Sequence, residues 1–92
     1  MTTTDDVITE RGNVYGDFHQ GIILETLIVE AIKLRHYEHH GKQMSPEFVM
    51  YISKIAMKLS RLSITPDHID SWTDIAGYAR LVELHLKKEE NA

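Results

Sequence analysis

The chain has 92 residues, no cysteine, and a formal net charge of −4 from 14 acids against 10 lysines and arginines. That length supports one domain, the missing cysteine excludes disulfides and thiolate sites, and the acidic balance argues against wrapping duplex nucleic acid, which needs a basic face. The composition, 42% apolar and 26% charged, is that of a soluble globular protein.

The amino terminus, Met1-Thr2-Thr3-Thr4-Asp5-Asp6, has neither a basic nor an apolar region, so no secretory signal is expected and the cytoplasm is the expected location. Residues 1–16 read as a leader and turn, with a short helix over about 3–11 and a turn at Gly12-Asn13. Asp17 is placed as the N-cap of a first long helix from Phe18 to His40, which Gly41 terminates. Glu25, Glu30 and Lys33 interrupt its apolar run, which excludes a membrane span. His36 and His40 are four apart, but cationic or polar groups at a helix C-terminus complement its dipole and no third metal ligand is near. Ser45-Pro46-Glu47 combines an N-cap, a proline suited to the first helical position and a first-turn acid, so a second helix runs from Pro46 to Leu62. Thr65-Pro66 breaks the chain, and a third long helix follows over about 71–88, capped by Asp70 or Thr65, with a frayed tail at 89–92. No segment alternates with period two, so the fold class is all-α: three long helices plus a short N-terminal one, with 17–88 as the helical core of a single domain.

The apolar faces predict how these helices pack. In the middle helix Phe48, Ile52, Ile55, Leu59 and Leu62 form one stripe, and Lys54, Lys58 and Arg61 a separate basic one. In the first helix Ile23, Leu24, Leu27, Ala31 and Leu34 fill one side while Ile22, Val29 and Ile32 lie on others. The last helix carries Trp72, Ile75, Ala79, Val82 and Leu86 on one face, with Leu81 and Leu84 beside Gly77 on another. Burial of Trp72 is expected from that stripe. Helices apolar on two sides need two partners, so a bundle completed by homo-oligomerisation is expected.

The polar residues that carry chemistry cluster in the last element. Asp70, Asp74 and Gly77 share one helical stripe, and two readings stay open for the acids. They cap the helix and favour its N-terminal dipole, or they hold a divalent cation such as Mg2+ through oxygen. A glycine inside a helix costs about 1 kcal/mol relative to alanine, so Gly77 is expected to mark a close approach. Antiparallel packing would bring Lys58 and Arg61 to Asp70 or Asp74, either as an ion-pair network or as phosphate ligands beside a metal. Tyr15 and Trp72 are candidates for stacking on a base, and His68 lies next to the acidic pair. No nucleophilic triad, P-loop or Gly-rich nucleotide fingerprint is present.

Four elements carry a resemblance: Arg11-Gly12-Asn13-Val14-Tyr15-Gly16-Asp17-Phe18, Ser45-Pro46-Glu47, the helix from Lys54 to Arg61, and Asp70-Ser71-Trp72-Thr73-Asp74-Ile75-Ala76-Gly77-Tyr78. In this order they resemble a family of small phage and prophage proteins of unknown function, across nearly the whole chain. More distantly, the acidic helix is similar to that of MazG-type all-α nucleotide pyrophosphohydrolases, which bind magnesium and nucleotide phosphates between helices. The chain departs from their Glu-x-x-Glu and Glu-x-x-Asp pattern: Glu25 and Glu30 are five apart, and Asp70 and Asp74 four apart.

Two functional expectations result. In the first, the protein binds a phosphorylated small molecule, best a nucleotide, with Lys54, Lys58 and Arg61 on phosphates, Tyr15, His68 or Trp72 on the remainder, and Asp70 with Asp74 on Mg2+. It then either sequesters the ligand or hydrolyses a phosphoanhydride, and whether it is an enzyme stays open. In the second, it is a phage interaction protein, placed in the host cytoplasm, that inhibits or redirects a host or defence protein.

Overall fold

The computed structural model describes residues 3–91, which form four helices and, among the described residues, no strand: α1 (Thr4–Tyr15), α2 (Phe18–His40), α3 (Pro46–Leu62) and α4 (Ile69–Glu90). The all-α class and the pattern of three long helices behind a short one hold. Both ends of α2 and the start of α3 fall where local chemistry puts them. The Asp17 carboxylate accepts the Gln20 N–H at 2.9 Å, Gly41 takes the left-handed conformation at φ 69°, and the Ser45 hydroxyl accepts the Phe48 N–H ahead of Pro46.

The two remaining helices differ from expectation. Instead of turning at Gly12-Asn13, α1 continues to Tyr15. A reciprocal capping box between Thr3 and Asp6 starts it, and the Gly12 carbonyl accepts the Gly16 N–H at 2.9 Å, so the chain leaves the helix at Gly16 with φ 80° and ψ −168°. That conformation is essentially reserved for glycine. At the other end, α4 starts at Ile69 with His68 as its N-cap and no side-chain capping bond. Asp70 is therefore a first-turn acid and not the cap, and Asp74 sits in the second turn. The corner between α3 and α4 is held instead by the Trp72 indole N–H donating to the Pro66 carbonyl at 2.8 Å, and by a 2.8 Å hydrogen bond between His68 Nδ1 and the Ser71 hydroxyl. Helix continues through Glu90, into the segment expected to fray.

Helix α3 is the centre of the fold. α2 and α4 pack on different sides of it without meeting each other, and α1 lies across the ends of α2 and α3. The result is an elongated body of 50 × 29 × 23 Å. Small residues set the α2–α3 contact, where the Ser60 hydroxyl donates to the Gly21 carbonyl at 2.9 Å. Toward α4, α3 presents Tyr51 and Lys58, and α4 answers with a mixed stripe of Ser71, Ile75, Tyr78, Val82 and His85, all buried or half-buried. That stripe corrects two expectations. Trp72 lies beside it and not on it, is 53% exposed, and is fixed by its N–H and not by burial. Nothing lies within 4 Å of a Cβ built on Gly77, so none of the other described residues approaches it. Among the described residues, the buried apolar side chains are Ala56 and Leu62 alone.

Candidate functional site

Where α1, α2 and α3 converge they leave a cleft of about 420 Å³, within the range of about 300–1,000 Å³ usual for small-molecule sites. Its apolar walls come from Val7 and Ile8 of α1, Phe18 and Ile22 of α2, and Met57 of α3. Its polar groups are Arg11, Tyr15, Asp17, Glu25, Ser60 and Arg61. Two of these are already committed, since Asp17 caps α2 and the Ser60 hydroxyl bonds Gly21. The guanidiniums are not: among the described residues neither Arg11 nor Arg61 enters an ion pair. Arg61 lies over the Tyr15 ring, 4.4 Å from its centroid, and the ring meets His68 edge-on at 5.4 Å. A guanidinium laid on an aromatic face keeps its N–H fork free for an anion, and its planar geometry matches phosphate or carboxylate oxygens.

The cleft exists because α1 is tied back to the α3–α4 corner. The Thr65 hydroxyl donates to the Val14 carbonyl, and a Cβ added to Gly16 would stand 2.7 Å from Ile64 Cγ1, so only a glycine lets the backbone come this close. Tyr15 is thereby set between Arg61 and His68.

Behind Arg61 the acidic element meets a cation. Lys58 Nζ, on a residue only 7% exposed, lies 2.8 Å from Asp74 Oδ2 on the more exposed side of the pair. The Lys58 hydrogen bond holds the Asp74 carboxyl below the usual aspartate range. Partial desolvation opposes this, and the charges of Lys58, Arg61 and His68 add to it. The antiparallel packing anticipated between the basic and acidic helices therefore takes the form of an ion pair at Lys58 and Asp74.

The residues singled out from the sequence divide into three groups. Tyr15 and Arg61 line the cleft, and His68 touches Tyr15 at its back. Lys58 and Asp74 neutralise each other. Lys54, Asp70 and Trp72 are exposed and are not part of the cleft lining. The basic stripe is thus split by its own geometry: Lys58 turns to α4, Arg61 to α1, and Lys54 to solvent. Among the described residues no three His, Asp or Glu side chains converge as a cation would need. Asp70 and Asp74 do not fit Mg2+, because one Asp74 oxygen already holds an ammonium and a third oxygen ligand is missing. Arg11 is the residue that sequence reading missed as a site candidate. Its signal was present in the Arg11-to-Gly16 element, but its place in the cleft with Arg61 depends on a helix that runs to Tyr15.

No helix of the described residues is long and apolar enough to cross a membrane. No curated protein and no solved structure matches the chain. A family model covers residues 1–85, which agrees with the expectation of an uncharacterised family. The chain belongs to the family described as domain of unknown function DUF6378.

Proposed function

We propose that the protein binds a phosphorylated small molecule, a nucleotide by chemistry, in the cleft between α1, α2 and α3. The observation that supports this reading is a largely apolar cleft of small-molecule size bearing two guanidiniums outside any ion pair among the described residues, one of them aligned on Tyr15. Arg61 and Arg11 take phosphate oxygens, and the apolar wall with Phe18 takes the base or other flat apolar portion. Glu25, on the same wall, suits a sugar hydroxyl. Among the described residues no group is fitted to hold Mg2+, so the reading is one of binding and sequestering, and no hydrolytic step is assigned.

Thermal melts with nucleoside triphosphates, the matching nucleosides and inorganic phosphate test this. A ligand that binds only the folded state raises the melting temperature by mass action. The expected result is a rise with the triphosphate, little with the nucleoside, and loss of the rise in Arg61→Ala and Arg11→Ala but not in Lys54→Ala. No rise with any nucleotide at millimolar concentration, or a rise that Arg61→Ala leaves unchanged, would overturn it.

A further inference from the structure

The outer face of α2 is the largest unexplained feature of the molecule. Ile23, Leu27, Ala31 and Leu34 recur at spacings of four, four and three, which puts them on one stripe pointing away from α3. Leu27 and Leu34 are 62% and 58% exposed. Glu30 lies on the same side between Leu27 and Leu34 but is paired with Lys33 at 3.2 Å, and Glu38 follows one turn after Leu34. Scattered exposed leucines are ordinary, but four exposed apolar residues on one side of three successive turns are not.

The whole-molecule area agrees with the local pattern. A folded monomer of 10.6 kDa exposes roughly 5,500 Å² by the usual scaling of surface with mass, whereas this chain exposes 7168 Å². The excess of roughly 1,700 Å² per chain is spread over several faces, Phe18, Ile69 and Leu81 being exposed as well as Leu27, and covering half of it on each copy gives a two-fold interface within the standard range of about 1,200–2,000 Å². Two buried apolar residues among those described make no sufficient core. The cover is therefore needed whenever the chain is folded, and the one partner always present with a chain is another copy of itself.

We propose that a second copy packs along the outer face of α2, with its own α2 antiparallel and the two-fold axis passing between Leu27 and Ala31. A two-fold contact brings one patch against itself, which apolar side chains tolerate, and Glu30 enters it already paired with Lys33. The antiparallel sense sets Ile23 against the far end of the partner stripe. It also keeps the two Glu38 side chains apart, whereas a parallel pairing would place them face to face. The cleft opens on the other side of α2 and stays accessible, so the pairing does not depend on what the cleft binds.

Light scattering at micromolar concentration is expected to give twice the 10.6 kDa chain mass, with a melting temperature that rises with protein concentration. Leu27→Glu with Leu34→Glu is expected to halve the mass, and Leu81→Glu, on the exposed side of α4, to leave it unchanged. Because the double variant can unfold once separated, a second measurement locates the seam in the intact protein. The chain has no cysteine, so Ala31→Cys is expected to yield a covalent dimer with a short bis-maleimide, and Thr73→Cys is not. A monomeric wild type with a cooperative melt overturns the proposal. So does a dimer whose mass survives the double variant, or one that position 31 fails to cross-link.

Discussion

Toward α4, helix α3 presents Tyr51, Lys58 and, one turn below, Leu62; toward α2 it presents Ser53, Ala56 and Ser60. On the first side the groups find specific partners. Lys58 meets Asp74, the Tyr51 hydroxyl donates to Glu47 at 2.6 Å, and His85 Nε2 sits 3.1 Å from oxygens of both Glu47 and Glu89. On the second side the gain is proximity, because small side chains let α2 approach until a backbone carbonyl can accept from Ser60. The first surface resists change through polar matching and the second through lack of room. The cleft opens on the second side, where no large side chain of α3 except Met57 and Arg61 fills the space under α1.

The strongest way to break the contrast is to remove Leu62, one of two buried apolar residues among those described. Leu62→Ala is expected to cost about 3 kcal/mol in urea unfolding, with Leu27→Ala costing far less in a monomeric variant background. A cost at Leu62 no larger than that of an exposed leucine would mean that the α3–α4 side is not the stable half.

Next in size is Gly16→Ala, which meets both a positive φ and the side chain of Ile64. It is expected to destabilise by about 2 kcal/mol and to loosen α1, read as faster amide exchange over residues 4–15.

The ion pair sharpens the α4 side. Asp74→Asn leaves the Lys58 ammonium buried without a counter-charge and lowers the melting temperature. Lys58→Met lowers it less, since it leaves only a carboxylate that water reaches. The pH dependence has a definite sign. Because the folded-state pKa of Asp74 is depressed, its contribution is full above the ordinary aspartate value of about 3.9 and disappears as pH falls through the lower folded value. The difference between wild type and Asp74→Asn should therefore be flat at neutral pH and vanish in strong acid. A difference that instead vanishes on raising the pH would contradict the pairing.

The smallest effect is expected at Gly77, where an added methyl meets open space and improves helix propensity: Gly77→Ala should stabilise by somewhat under about 1 kcal/mol. A loss instead would show that a partner covers this face.

What was legible in the sequence is what local chemistry decides. Asp17, Gly41 and Ser45-Pro46 fix α2 and the start of α3 within their own neighbourhoods, so those boundaries needed no knowledge of the fold. The capping box at Thr3 and Asp6 was equally local, but a glycine and an asparagine inside α1 read as a turn, and what carries the helix past them is docking on Ile64 and Thr65. The packing face of α4 was obscured because it is chemically mixed. Ser71, Tyr78 and His85 alternate with Ile75 and Val82, and counting apolar residues favoured the neighbouring stripe with Trp72. A pairing of Lys58 or Arg61 with Asp70 or Asp74 followed from charge and helix order, though not which pair forms, whereas bringing Arg11 into one cleft with Arg61 required two segments some fifty residues apart to meet.

That meeting sets an order of assembly. Helix α1 has twelve residues, none of them buried, and an isolated helix of that length is marginal in water. It is bound to the rest through Thr65 on Val14, a contact spanning 51 positions, and through the Tyr15 ring. The α3–α4 corner must therefore exist before α1 can be held, so the cleft is the last part of the chain to form and the first to dissolve. Partial unfolding would empty the cleft while α3 and α4 stay paired, and any molecule held there would act as the fastener of the N-terminal segment.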